Sequence, residues 1–259
     1  MRRIYKIIFS VSLLLLIALQ SLTVSASASK YSWYCAHRKD HLQPIADRRL
    51  GFIEKYDACY IDKAHGDECE EKVVYLTFDA GYENGNVEKI LDVLKEENVH
   101  AAFFVLGAII VKNTAIVERM FDEGHLVCNH TYSHRQMTNM DKSTFCAELE
   151  KLEKTCLDHT GKALAKYYRP PEGVFDEDTL AYAKELGYKT VFWSFAYPDW
   201  DNGKQMNTDA AKQKIFENVH NGEIMLLHPT SATNATILGD VIRQLRSEGY
   251  RFGLINEII

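Results

Sequence analysis

Six polar side chains stand at or just beyond the C-terminal ends of runs that read as β-strands. Asp79 follows Val73 to Phe78, and His130 and His134 follow the run from His125 to Cys128. Arg169 follows a short run ending at Tyr168, Asp199 follows Thr190 to Phe195, and His228 follows Ile224 to Leu227. Together these groups suit hydrolysis of an ester or amide. Asp79 could take a proton from water as general base, and His228 could return one to the leaving nitrogen. The histidines form an H-x-x-x-H pair. On a helical turn, residues i and i+4 share a face, so both imidazoles could hold one divalent metal, zinc or similar, that polarises the carbonyl. The glutamate of H-E-x-x-H is absent, so a zinc protease is not implied, and the pair alone is a weak signal. Arg169 could orient Asp79, with Asp199 holding Arg169 in turn; a plain structural ion pair is the bland alternative.

These groups need a scaffold that gathers strand ends. From Val73 onward, β-branched and aromatic runs alternate with apolar residues at helical spacing, beginning with Val87, Ile90, Leu91 and Leu94. Thr114 is read as the cap of a helix burying Ile116, Val117, Met120 and Phe121. Gly187 stops a helix through Leu180, Ala183 and Leu186. Alternation of this kind calls for a parallel sheet with helices outside. The segment is short for an eight-unit barrel of about 250 residues and fits about seven units, so the expected fold is α/β, a distorted (β/α) barrel. An open doubly wound sheet is the second choice, although no glycine-rich phosphate loop follows the first strand. In a barrel, catalytic groups converge at the C-terminal ends of the strands, where all six stand.

The sequence also divides into regions. Met1-Arg2-Arg3-Ile4-Tyr5-Lys6 precedes an apolar run from Ile7 to Leu19 and ends in Ala26-Ser27-Ala28. That is the form of a secretory signal peptide over 1–28, and it implies export. An uncleaved anchor is the alternative, which leaves the membrane as a partner only through that segment. Residues 29–70 are polar and rich in aromatics, including Trp33, Tyr34, Tyr56 and Tyr60, and read as a short N-terminal extension packed on a catalytic domain at 71–259. The net charge of −6 argues against nucleic acid as a partner. Six cysteines in an exported chain leave oxidation open, and a bridge among Cys35, Cys59 and Cys69 is plausible from their closeness in sequence.

Four segments then carry a resemblance. Thr77-Phe78-Asp79-Ala80-Gly81 resembles the T-F-D-D-G motif of the polysaccharide deacetylases, carbohydrate esterase family four. His130 to His134 resembles its H-x-x-x-H motif, Arg169-Pro170-Pro171 its R-x-P motif, and Leu226-Leu227-His228 its L-x-H motif. The resemblance implies that Asp79 is the base and that a second aspartate joins the two histidines on a divalent metal. Here that second position is Ala80, and a methyl cannot ligate. Any cation would be held more weakly, on His130 and His134 alone. Gly81-Tyr82-Glu83-Asn84-Gly85-Asn86 and the stretch from Phe192 to Trp200 look like the delta-lactam-biosynthetic de-N-acetylases of spore-forming bacteria. Those enzymes also lack the second aspartate and act on N-acetylmuramic acid of peptidoglycan.

Substrate-facing residues are harder to assign. Trp193, Trp200 and Leu226 could wall an apolar pocket for the acetyl methyl and the sugar face, or they could be ordinary core. Glu172 would repel the lactyl carboxylate of muramic acid unless it faces solvent and only its backbone N–H serves the oxyanion. Three functions therefore compete: a cell-wall glycan de-N-acetylase, an esterase on acetylated xylan or another polysaccharide, and a catalytically silent glycan-binding protein. Released acetate separates the last from the first two, and a substrate panel separates those.

Overall fold

The computed structural model describes residues 29–258. The expected signal peptide at 1–28 lies outside them. Four short strands come first: β1 (Tyr31–Ser32), β2 (Cys35–Ala36), β3 (Ile45–Ala46) and β4 (Ala58–Cys59). The long strand β5 (Lys72–Ala80) follows, then α1 (Val87–Glu96), β6 (Ala102–Val105), α2 (Gly107–Lys112), α3 (Thr114–Asp122) and β7 (Leu126–Asn129). Next come α4 (Lys142–Thr160), β8 (Ala165–Tyr168), β9 (Val174–Phe175), α5 (Glu177–Glu185), β10 (Lys189–Val191) and β11 (Phe195–Ala196). The chain closes with α6 (Thr208–Asn218), β12 (Glu223–Leu227), α7 (Ala232–Ser247) and β13 (Tyr250–Gly253).

The main sheet is parallel, in the order β11-β12-β5-β6-β7-β8-β10-β4, with β13 also paired to β5. This order forces curvature. Laid flat, β10 and β11 would be separated by about 29 Å at roughly 4.8 Å per strand step. Yet only Phe192, Trp193 and Ser194 join Val191 to Phe195, a reach of at most about 14 Å. The sheet must therefore roll until its ends approach, which gives the expected distorted barrel. The end strands β11 and β4 are not paired with each other.

Strand periodicity sorts the core. On β5, Val74, Leu76, Phe78 and Ala80 face the cluster packed by the helices, while Val73 and Tyr75 join the inner cluster with Phe104 and Cys128. Phe78 and Phe103 are fully buried and stack between neighbouring strands, their ring centroids 5.1 Å apart. Each buried phenylalanine contributes about 1.5–3 kcal/mol relative to exposure.

Four details differ from the sequence reading. Thr114 does not cap its helix: Asn113 holds the cap position, and the Thr114 hydroxyl donates to the Ile110 carbonyl at 2.7 Å. The strand expected over 190–195 is interrupted at 192–194, which separate β10 from β11; the last bond of the β10–β4 ladder runs from Phe192 N–H to Cys59 O. The N-terminal segment also does more than pack on the barrel: β4 extends the sheet beside β10, and β1 pairs antiparallel with β9. The six cysteines are all free thiols, so the bridge considered among Cys35, Cys59 and Cys69 is not formed. Among the described residues, no helix is long and apolar enough to cross a membrane.

Candidate active site

A cleft of about 700 Å³ opens at the C-terminal ends of the strands. Asp79 enters it from the end of β5, His130 from just past β7, and His228 from just past β12. Of the residues singled out from sequence, Arg169 and Asp199 alone do not line the cleft. They sit directly behind it, 0% and 1% exposed.

Arg169 holds Asp79. Its Nη1 donates to Asp79 Oδ1 at 2.8 Å, and Nη2 donates to Thr77 Oγ1 at 2.9 Å. Nε donates to Val191 O at 3.0 Å and Nη2 to Phe192 O at 3.3 Å, while the Phe104 ring lies 4.1 Å beneath the guanidinium. A buried charge held this fully is both oriented and compensated. Burial alone would push the Asp79 carboxyl up; His130, Arg169 and His228 outweigh it and bring the group below its ordinary range. His130 Nδ1 lies 2.8 Å from the Arg169 carbonyl, which can only accept, so Nδ1 carries the proton. The other ring nitrogen, Nε2, faces Asp79 Oδ2 at 3.4 Å. Burial lowers His130 to about 4 against the pull of Asp79, so the imidazole is neutral near pH 7 and Arg169 supplies the local charge.

Asp199 is bound to His228, not to Arg169, which corrects the sequence reading. His228 donates Nδ1–H to Asp199 Oδ1 at 2.7 Å and its backbone N–H to Oδ2 at 2.8 Å. Asn234, reaching from α7, adds an Nδ2 donation to Oδ2 at 2.6 Å, and the Tyr197 hydroxyl donates to Asn234 Oδ1. Nε2 of His228 is thereby left for the cleft. Burial lowers the His228 pKa, but the hydrogen bond and charge of Asp199, with Asp79, more than reverse this and raise it.

The H-x-x-x-H pair does not lie on a helical turn. Residues 130–136 form an irregular loop in which Thr131 (φ 71) and His134 (φ 57) are left-handed. Thr131 N donates to Asn129 Oδ1 at 2.9 Å, and His134 N to Thr131 Oγ1 at 3.0 Å. This Asx-type turn still brings the two rings together, centroids 5.0 Å apart and crossed at 68°. A third metal donor is lacking: Ala80 is fully buried in the helix-side core, and no group of three His, Cys, Asp or Glu able to hold a metal occurs among the described residues. The donors fit a weak two-imidazole hold and do not fit a three-ligand centre.

Trp193, Trp200 and Leu226 all line the cleft, Trp193 half-buried and Trp200 60% exposed. Glu172 also lines it, with an exposed side chain and a left-handed backbone (φ 58, ψ 8) that costs a non-glycine residue about 1–3 kcal/mol. Sequence reasoning missed Thr77, Asn234 and Tyr197. Thr77 stood inside a quoted motif and faces the cleft side by alternation with Asp79. Asn234 had no signal in the sequence, because its partner is on another loop.

The chain belongs to the polysaccharide deacetylase family, the family 4 carbohydrate esterases, which are hydrolases; residues 66–191 match the family described as Polysaccharide deacetylase. It is 39% identical over 229 residues to the peptidoglycan-N-acetylmuramic acid deacetylase PdaA of Bacillus subtilis (strain 168), covering 88% of this chain and 85% of that protein. The solved structure of Bacillus subtilis PdaA, a family 4 carbohydrate esterase, superposes with a TM-score of 0.83 at 38% identity, over 89% of this chain and 97% of that one. A family 4 carbohydrate esterase from Bacillus anthracis matches with a TM-score of 0.72 at 36% identity, over 89% and 96%.

Proposed function

We propose that this chain is an exported, cell-wall de-N-acetylase that removes the acetyl group from N-acetylmuramic acid residues of peptidoglycan. The observation that carries the chemistry is the facing pair in the cleft: Asp79 held by buried Arg169, and His228 held by buried Asp199. The choice of sugar is supported by similarity to the muramic acid deacetylase over most of both chains.

In this reading Asp79 takes a proton from water as the water oxygen attacks the acetamide carbonyl carbon. The oxyanion accepts from the Glu172 backbone N–H, which would account for the unfavourable φ tolerated there. His228 Nε2–H protonates the sugar nitrogen, the C–N bond breaks, and acetate and the free amine leave. Trp193, Trp200 and Leu226 form the wall for the acetyl methyl and sugar face. A divalent cation, zinc or similar, would be held weakly by His130 and His134 and would supply polarisation of the acetamide carbonyl when bound. The regions are a secretory leader at 1–28, an extension at 29–70 and the catalytic domain at 71–259.

The test is to treat peptidoglycan with the purified protein, digest it and weigh the fragments. Loss of acetyl from muramic residues with glucosamine residues untouched is the expected result. Activity confined to N-acetylglucosamine oligomers rejects the substrate, and acetylated xylan as the preferred source of acetate favours the esterase reading. The incomplete metal donor set supports a second reading, a silent glycan-binding protein. Binding of glycan with no acetate released, under any added divalent metal, would establish it.

A pH measurement tests the acid. His228 acts only while protonated, so kcat/KM falls as pH rises through its pKa. Asp199 raises that pKa against burial, so Asp199→Asn should move the alkaline limb to lower pH. An alkaline limb that stays in place removes His228 from the acid role.

A further inference from the structure

Several residues of the N-terminal extension touch the walls of the active site, among them Cys35, whose Sγ lies 3.5 Å from Ser194 O, and Cys59, whose carbonyl accepts from Phe192 N–H; Trp33 is the one that ties two wall segments together. Trp33, 7% exposed, makes two hydrogen bonds to segments that wall the cleft. Its backbone N–H donates to Gly173 O at 2.8 Å, one residue past Glu172. Its indole Nε1–H donates to Trp193 O, also at 2.8 Å. The indole stacks on Phe192, centroids 4.5 Å apart and planes 18° from parallel. Phe192 in turn gives its carbonyl to Arg169, the residue that holds Asp79. The packing leaves no slack: a Cβ on Gly173 (φ 66) would lie 2.6 Å from the Trp193 ring and 3.1 Å from Trp33 Cβ.

We infer that Trp33 is a positioning residue for the reaction, fixing from the extension both the Glu172–Gly173 turn and the Phe192–Trp193 segment. Trp33 is not among the residues that line the cleft. Without it, the turn that aims the Glu172 N–H and the wall that seats the acetyl group lose their common anchor. The inference rests on the roles given above to Glu172, Arg169 and Trp193, and one of its two tests is independent of them.

Trp33→Phe keeps the backbone bond and an aromatic ring on Phe192 but removes the indole donor. On an N-acetylated glycan, the full chain carrying it should lose kcat by about tenfold, short of the roughly 10²-fold that a 1 Å misplacement costs, with KM within about twofold. Rates are taken well below each unfolding midpoint, so a merely structural loss would show only as a lower midpoint. Equal kcat, or a rise in KM alone, overturns the inference. The second test needs no turnover. Amide hydrogen exchange in Trp33→Phe should speed up at 172–174 and 192–194 and stay unchanged across Lys72–Ala80. Unchanged protection at both wall segments overturns the inference even if the glycan assignment is wrong, whereas failure of the wild type to release acetate counts against that assignment alone.

Discussion

Asp79→Asn is expected to lower acetate release by about 10²–10⁴-fold, the usual worth of a general base. The fold should survive, because the amide keeps an oxygen that accepts from Arg169 Nη1 and the shape of the β5 end is unchanged. What is lost is the capacity to take a proton. The decisive comparison is turnover against the urea midpoint, measured on one preparation. A near wild-type rate from a normally stable protein would remove Asp79 from the base role and shift attention to His130, whose Nε2 lies 3.4 Å away. A lost rate from a protein that still unfolds cooperatively, its midpoint lowered because Arg169 has lost its charge partner, is the outcome that the geometry requires.

Arg169→Met should have the largest effect on stability. The guanidinium is fully buried and serves Asp79, Thr77, Val191 and Phe192. Methionine has comparable length but no donors. It would strand the Asp79 carboxylate, a side chain only 10% exposed, and leave two carbonyls without that partner. Removing one member of a buried ion pair typically costs about 3–5 kcal/mol, a large share of the roughly 5–15 kcal/mol that holds a domain together. Chemical denaturation measures it directly. A loss below about 1 kcal/mol would mean that Asp79 and the strand ends find other partners, and that Arg169 is less central than its bonds indicate.

The parts of this architecture that follow a period were legible in the sequence. Alternation along β5 placed Asp79 on the face opposite Phe78, and the succession of strand and helix gathered His130, Arg169 and His228 at one edge. Features set by loops were not. The spacing of His130 and His134 suggested a helical turn, but the rings meet because Thr131 and His134 adopt left-handed backbone held by Asn129 and Thr131 side chains. Asp199 was paired with the wrong cation because a sequence lists charges without distances, and Arg169 and His228 are both plausible partners. The position of Asn234 depends on how α7 meets the loop after β11, which no local pattern encodes. Strand β4 was equally hidden: two residues carry no alternation, and its identity comes only from the neighbour β10.

That neighbour has a consequence for how the molecule is made. Ala58 pairs with Thr190, and Tyr31 with Phe175, so β1 and β4 find their partners only after most of the chain exists, whereas β2 and β3 pair with each other. Closing so long a loop costs little more than closing a shorter one, but it cannot be done early. During synthesis, which proceeds from the N-terminus, the barrel strands from β5 to β8 can assemble while β1 and β4 wait. Waiting strands are a hazard when they are long and apolar, because a free edge recruits other chains. Here each is only two residues long and the segment between them is polar, so the unpaired stretch offers too short a ladder to template aggregation before β10 arrives to receive it.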